Sequence, residues 1–346
     1  MINKRIKWID IFRGISIILV VIGHLEIPDY LYKVIFSFHM FIFYFISGVL
    51  YQDKDKFTFI ERCKVKIKKF YIPYLGYAVL WFSSSLVIEW YKNREVLFFY
   101  NFKFFKKVLC IIWGNGIFTE GASIGPAWFL ISLLVVSIFY DFIKHIFREK
   151  PKKTGLMILI IVFLVIGYKF NGKIFLPLKI IPSLTGIFFY WIGDMSKNIV
   201  YKLNNEKEFL LIKGIMSLVF LVLIVLNTNA YTILVSNLLP KKLYLMLIEG
   251  FLGIMTTIYF SIFLSKYYKI SNFIEFYGKN SMLIMGIHSE IHLISRFILE
   301  KIGFTTSQTV IPVFIITLLT IIPMSIVINK YFPVFNGKIK IKEIEK

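Results

Sequence analysis

The sequence predicts an all-α polytopic membrane protein with about ten transmembrane helices and both termini in the cytoplasm. Apolar residues make up 58% of the 346 residues, and the mean hydropathy is +0.73. A soluble domain has roughly 45–50% apolar residues, and a soluble core could not hide the excess. Runs of apolar residues recur along the whole chain, and basic residues gather between them. These observations exclude disordered and fibrous proteins.

Ten apolar runs are each long enough to cross the hydrocarbon core, which takes about 17–25 residues. In order, they cover residues 8–25, 33–51, 70–90, 126–144, 154–170, 176–195, 210–228, 244–265, 278–297 and 309–330. Gly, Pro and Lys interrupt several of the later runs, so their boundaries are less sharply defined. We expect one transmembrane domain over residues 1–335 and a basic cytoplasmic tail over 336–346. The short loops leave no room for a sizeable soluble domain.

The distribution of charge predicts the orientation. Lys and Arg total 41 against 20 Asp and Glu, and 26 of the 41 fall on one side when the N-terminus is placed inside. Cytoplasmic loops carry such an excess, so we expect a multi-pass protein of the cell membrane. The orientation places Cys63 inside and Cys110 outside or at the outer interface, which implies no disulfide framework. The basic residues form no continuous domain, and we expect no nucleic-acid partner.

Two segments are predicted to lie along the membrane surface. In residues 57–70 an apolar stripe recurs at helical spacing opposite Arg62, Lys66 and Lys69. Residues 96–107 carry a similar stripe of Phe. Plain interfacial anchoring explains the second segment fully.

The first run carries charged side chains on one helical face. Arg13 and His24 are eleven residues apart, which is three turns plus about 20° at 100° per residue. Asp10 falls in the same stripe. Charged groups inside a bilayer are costly and usually face a cavity or a partner, so these three residues are functional candidates. The alternative is that Asp10 and Arg13 merely neutralise each other and His24 caps the helix.

Several motifs resemble the acyltransferase-3 family of integral membrane O-acyltransferases, within it the branch similar to sugar 4-O-acetylases. The first is Trp8-Ile-Asp-Ile-Phe-Arg-Gly14 followed by Gly23-His24, with the Arg-x10-His spacing of that family. The second is Phe36-Ser-Phe-His-Met40 with Ser47-Gly48, although Phe41 stands where many members carry Pro. The openings of the fourth and ninth runs are also similar, at Pro126-Ala-Trp-Phe-Leu130 and Gly278-Lys-Asn-Ser281 with His288 following.

The resemblance implies transfer of an acyl group, usually acetyl, from cytoplasmic acyl-CoA to a hydroxyl of an extracytoplasmic glycan or lipid-linked saccharide. His24 is the expected base, because the pKa of histidine lies near working pH. Arg13 would bind the donor, with Asp10 holding Arg13 in place. Direct transfer and an acyl-histidine intermediate both stay open.

The resemblance also suggests binding residues, each with a plainer alternative. A basic pair at the position of Lys66 and Lys69 is associated with acyl-CoA in the family, and topology or lipid contact is the alternative. His39 is expected near His24 in depth, either at the acceptor or as a buried hydrogen-bonded histidine. Trp128 is expected to stack on a sugar or to anchor at the interface. His288 is expected to contact the acceptor or to pack between helices.

The sequence allows two further interpretations, a metal site and a transport function. His288 and His292 share a helical face, but Glu290 between them points elsewhere and no further ligands are visible, so no metal site is expected. The rival function is a transporter or flippase in which Arg13 and His24 line a solute path. Inverted repeats would favour that rival, and no convincing internal repeat is visible.

Overall fold

The computed structural model describes residues 6–53, 57–93, 108–109, 111–112, 114, 125–147, 153–174, 176–203, 208–229, 231–232, 239–240 and 242–338. Within these ranges the regular elements are helices. They are α1 (Lys7–Gly23), α2 (Asp29–Phe36), α3 (His39–Val49), α4 (Phe59–Lys66), α5 (Ile72–Asn93), α6 (Trp128–Ile146), α7 (Lys153–Phe170), α8 (Ile180–Leu203), α9 (Leu210–Thr228), α10 (Leu243–Leu264), α11 (Tyr268–Lys279), α12 (Ser281–Lys301) and α13 (Thr306–Tyr331). Cys110 and residues 96–107 lie outside the described residues.

The helices confirm an all-α membrane fold. Each of the ten predicted runs contains at least one of them. Within the described ranges, six segments are long and apolar enough to cross a membrane, namely Asp29–Val49, Gly125–Ile146, Leu210–Thr228, Leu243–Leu264, Ser281–Lys301 and Thr306–Tyr331. The number of ten crossings and the position of both termini inside remain predictions.

The second predicted run is divided into two helices. Chain direction changes at Ser37 and Phe38, between α2 and α3. Gly253 of α10 lies directly against the Phe38 ring, and a Cβ atom built on Gly253 would be 2.1 Å from Phe38 Cγ. At the break, the Phe38 ring therefore occupies the space that the absence of a side chain at Gly253 leaves on α10.

Helix α1 lies in the core because two neighbours approach its backbone. A Cβ atom on Gly14 would be 2.1 Å from the carbonyl oxygen of Ile274, and one on Gly278 would be 1.8 Å from that of Asp10. Both contacts join α1 to α11. Trp8 and Phe12 are fully buried on the same helix. This packing fixes α1, and with it the charged stripe, inside the bundle.

The end of the chain folds back onto the bundle. After α13, a 3₁₀ turn at Pro333–Asn336 leads to Gly337 and Lys338, and we call residues 333–338 the C-terminal hook. The Tyr77 hydroxyl donates a hydrogen bond to the carbonyl oxygen of Phe335 at 2.5 Å, and Asn336 is buried. Packing against the helices thus continues into the segment that the sequence predicted as a tail, up to the last described residue.

Candidate functional site

Two groups of polar side chains meet α1 at opposite ends. We call the end of the bundle where α1 begins the inner end and the end where α1 finishes the outer end. At the inner end, Arg13 lines each of three cavities, of about 230, 310 and 380 Å³. The three cavities therefore share Arg13 as a lining residue.

The 230 Å³ space, which we call the basic cavity, carries cations from four parts of the chain. Its polar wall includes Arg13, Lys69, Lys279 and Lys338. Among the described residues that line it, none is Asp or Glu. The remaining wall is mostly apolar and includes Phe43, Phe129 and Met285, from α3, α6 and α12. One part of the cavity wall is therefore cationic, and the rest is mostly apolar.

The 310 Å³ cavity is lined by both lysines that the sequence paired, but their surroundings differ. Lys66 is half-buried, and its ammonium forms an ion pair with Asp141 and donates a hydrogen bond to the carbonyl oxygen of Ser137 at 2.7 Å. Arg62 Nε reaches the same Asp141 carboxylate at 3.2 Å. Burial lowers the pKa of Lys66, and the Asp141 carboxylate opposes that shift. Lys69 lines both this cavity and the basic cavity.

On α4, one residue of the predicted apolar stripe is exposed and one of the basic residues opposite it is buried. Ile60 is 66% exposed, whereas Arg62 is buried against α6. The buried Asp141 carboxylate pairs with Arg62 and Lys66 and draws these two bases inward, while Lys64 on the same helix is exposed. Arg62 and Lys66 therefore have a structural partner on α6.

Asp10 and Arg13 are brought together as predicted. Asp10 is 2% exposed, and its Oδ1 lies 3.9 Å from Arg13 Nη1. Asp10 lines the 380 Å³ cavity together with Arg13 and Lys197. A buried carboxylate one turn before the arginine limits the positions that the guanidinium can adopt.

At the outer end, four histidines form a cluster that we call the histidine cluster. The rings of His24 and His288 are 5.0 Å apart, and those of His288 and His292 are 5.6 Å apart. Phe36 lies between His24 and His39, with ring centroids at 5.9 and 4.5 Å. His24 is exposed, whereas the other three are buried. The predicted proximity in depth of His24 and His39 agrees with this arrangement.

Backbone contacts indicate which ring nitrogens of the cluster carry protons. Nδ1 of His24 lies 2.8 Å from the carbonyl oxygen of Val20, and Nδ1 of His288 lies 2.7 Å from that of Ile284. A carbonyl oxygen only accepts, so Nδ1 must donate in both. In a neutral ring Nε2 then bears the lone pair. Nε2 of His288 is buried with no hydrogen-bond partner among the described residues.

His39 follows the same pattern, with Nδ1 at 3.0 Å from the carbonyl oxygen of Ile35. Three histidines of the cluster therefore share one tautomer in their neutral form, with the proton on Nδ1 and the lone pair on Nε2. Across the described part of the chain, no three His, Cys, Asp or Glu side chains are grouped so that they would hold a metal ion.

Trp128 lies outside both groups. Its side chain is 6% exposed, and the Lys179 ammonium lies 5.7 Å from the ring centroid. It does not line any of the three cavities, although its neighbour Phe129 lines the basic cavity. The cation–π contact with Lys179 accounts for the orientation of the Trp128 ring without a bound sugar.

The two groups approach each other along two helices. Arg13 and His24 are separated by about 16 Å along α1 at 1.5 Å per residue. On α12, Met285 lines the basic cavity, and His288 follows it by three residues. The wall of the basic cavity therefore ends about one helical turn from the histidine cluster.

Sequence analysis missed Asp141, Lys279 and Lys338, and it weighed His292 for metal without placing it beside His24. Lys279 stands inside the motif at Gly278–Ser281, which was the available signal. No sequence signal indicated that Lys338 belongs to the site, because this residue follows the last apolar run.

Comparison with known families gives one match. A family model described as an acyltransferase domain matches residues 6–330, which covers both the basic cavity's helices and the histidine cluster. Searches of curated proteins and of solved structures give no match.

Proposed function

Because the chain belongs to the acyltransferase-3 family, we propose that it is an integral membrane O-acyltransferase of the cell membrane. The proposed donor is cytoplasmic acyl-CoA, with acetyl as the acyl group. The proposed acceptor is a hydroxyl of an extracytoplasmic glycan or lipid-linked saccharide. Family membership establishes a membrane acyltransferase, and the donor, the acyl group and the acceptor are the proposal.

The observation that carries the proposal is the placement of α1 between two chemically different sites. Arg13 faces the cavities at the inner end, and His24 joins the histidine cluster at the outer end. A transferase that takes its donor from one side of a membrane and its acceptor from the other needs this separation. One helix supplies both an anion-binding group and a base.

The basic cavity suits the donor. CoA is anionic through its phosphates, and guanidinium and ammonium groups bind phosphate with charge-assisted hydrogen bonds. The apolar wall of Phe43, Phe129 and Met285 suits an extended acyl-pantetheine arm directed toward His288. Lys69 faces this space, whereas Lys66 is held by Asp141. We therefore assign donor binding chiefly to Arg13 and Lys69, and support of α4 to Lys66.

The histidine cluster suits activation of the acceptor. The Nε2 lone pair of His24 takes the proton of the acceptor hydroxyl as its oxygen attacks the thioester carbonyl carbon. A C–O ester bond forms and the C–S bond breaks. The proton then passes from the imidazolium to the departing thiolate sulfur, giving free CoA. His39 and His288 flank this position as acceptor contacts, and an acyl-histidine intermediate would use the same Nε2 atom.

The test compares His24→Ala with a histidine variant outside the cluster. His145→Ala is the matched control, because His145 is the fifth histidine and lies near the end of α6 beside Phe59. With purified protein, acetyl-CoA and cell-surface glycan, mass spectrometry should show at least a ~100-fold loss of ester formation for His24→Ala, as expected for a lost general base. His145→Ala should retain wild-type activity.

Two results would contradict the proposal. A wild-type protein that leaves glycan acylation unchanged in cells and in vitro would favour the transporter or flippase. His24→Ala with wild-type turnover would remove His24 as the base.

A further inference from the structure

The C-terminal hook forms one wall of the basic cavity. Asn336, Gly337 and Lys338 line it together with Arg13 and Lys69, which belong to α1 and the π-helical turn Ile67–Tyr71, and a Cβ atom on Gly337 would be 3.8 Å from Lys69 Cγ. Gly337 has a φ of +67° and lies against the side chain of Met282, where a Cβ atom would be 2.9 Å from the Met282 Sδ. The hook is thus closely fitted to α12 at the edge of the cavity.

A cluster of three asparagines fixes the hook to the junction of α11 and α12. The Asn336 amide donates to Asn280 Oδ1 at 2.8 Å and to Asn329 Oδ1 at 2.9 Å. The Asn329 amide donates to the same Asn280 oxygen at 2.9 Å. Asn280 in turn bonds to the carbonyl oxygen of Phe276. Buried, mutually bonded amides position a backbone well, because breaking one bond leaves an unsatisfied polar group.

The consequence is a convergence of positive charge. Asn336 joins the hook both to Asn280 and to the backbone carbonyl oxygen of Lys279 at 3.3 Å, and Lys338 follows two residues later. Both lysines line the basic cavity with Arg13 and Lys69. Lys279 also pairs with Glu275 one turn earlier on α11, but Glu275 does not line this cavity. An ammonium has three donors, so this pair leaves Lys279 able to contact a ligand.

We propose that the C-terminal hook completes the phosphate-binding part of the donor site, with Lys279 and Lys338 binding the nucleotide phosphates of acyl-CoA together with Arg13 and Lys69. This inference rests on the proposed function, because it assigns new residues to the same donor. It assigns a binding role to residues 336–338, which the sequence placed at the start of a cytoplasmic tail.

The test measures equilibrium binding of CoA to the full-length protein in detergent by isothermal titration calorimetry. Lys279→Glu and Lys338→Glu should each raise the Kd for CoA about tenfold or more, as expected when a charge-assisted hydrogen bond is lost. Adenosine 3′,5′-bisphosphate, which carries nucleotide phosphates without the acyl arm, should compete with CoA on wild-type protein and much less on either variant.

The matched control is Lys330→Glu. Lys330 is an exposed lysine near the end of α13, beside the Tyr331 ring, and it does not line the basic cavity. The Lys330→Glu variant should bind CoA with the wild-type Kd. Lys338→Arg should bind CoA within about threefold of wild type, since a guanidinium also binds phosphate.

Each other outcome is decisive. CoA binding unchanged in Lys279→Glu and Lys338→Glu would overturn the role of the hook and leave the proposed donor standing. Equal weakening by Lys330→Glu would show a general charge effect and overturn the assigned site. No CoA binding by folded wild-type protein would reject the proposed donor itself, and the hook assignment with it.

Discussion

Lys66 and Lys69 are three residues apart yet lie in different surroundings, and this difference predicts different defects. Lys66→Glu would place a carboxylate against the buried Asp141, so we expect a loss of stability of about 3 kcal/mol or more. Lys69→Glu should leave stability nearly unchanged and raise the KM for the acyl donor several-fold. Thermal unfolding in detergent and steady-state kinetics with varied donor separate the two effects.

The control for this pair is Lys64→Glu on the same helix, because Lys64 is exposed and lines none of the three cavities. It should match wild type in both measurements. A donor KM that is unchanged in Lys69→Glu, with the acceptor KM altered instead, would contradict the assignment of Lys69.

The Arg13→Lys variant shows whether the planar shape of the guanidinium group matters in addition to its charge. Arg13→Lys keeps the charge but removes the planar fork, which binds phosphate through two parallel bonds and contacts Asp10. We expect about a tenfold fall in kcat/KM for the donor with unchanged insertion, measured on purified protein. Full activity of Arg13→Lys would reduce Arg13 to a generic positive charge.

Residues on one helix were predictable, and residues that meet across the fold were not. The common face of Asp10, Arg13 and His24 follows from helical periodicity alone. The partner of Lys66 was not predictable from the sequence, because Asp141 is 75 positions away. Nothing local distinguishes a lysine that faces lipid headgroups from one held by a buried carboxylate.

At the scale of elements, glycine contacts set how closely helices approach. A Cβ atom on Gly48 of α3 would be 1.9 Å from the carbonyl oxygen of Tyr190, and one on Gly193 of α8 would be 2.1 Å from that of Phe45. The contact is reciprocal, as in membrane helix pairs joined by small residues. Gly48→Ala should therefore force α3 and α8 apart and destabilise the protein by about 1–3 kcal/mol.

Gly214→Ala on α9 is the matched control. Its nearest neighbour, Tyr259 Cβ, would lie at 3.4 Å from the new methyl, which is ordinary van der Waals contact. Differential scanning of both variants in detergent should show a lower Tm for Gly48→Ala and little change for Gly214→Ala. Equal Tm values would contradict the packing that we describe for α3 and α8.

The positions of the elements were largely readable from apolar runs, whereas their breaks were not. Run 33–51 is uniformly apolar, and its division at Phe38 depends on Gly253 far along the chain. Run 278–297 contains the start of α12 at Ser281, but the separate helix α11 before it is stabilised by packing on α1. Hydropathy indicates which segments are buried. The position of a helix break depends instead on the residue that packs against it from another helix.

At the scale of the whole molecule, the predicted orientation has a direct test. Cys63 is partly exposed on α4, and the charge distribution places it inside. A membrane-impermeant thiol reagent should label a Cys110→Ser variant only after the membrane is permeabilised. A Cys63→Ser variant reports on Cys110, which we expect to be labelled in intact cells if at all. Labelling of Cys63 in intact cells would reverse the sidedness of donor and acceptor.

The length of α13 links the protein to the thickness of its membrane. This helix has 26 residues, or about 39 Å at 1.5 Å per residue, and only 22% of its apolar window is buried by the protein. The hydrocarbon core is about 30 Å thick, so α13 must tilt to stay within it, and a thicker bilayer lets it stand more upright. The C-terminal hook follows directly from Tyr331, the last residue of α13. We therefore expect a change in lipid chain length to shift the C-terminal hook at the edge of the basic cavity, so that the composition of the bilayer influences the shape of this cavity.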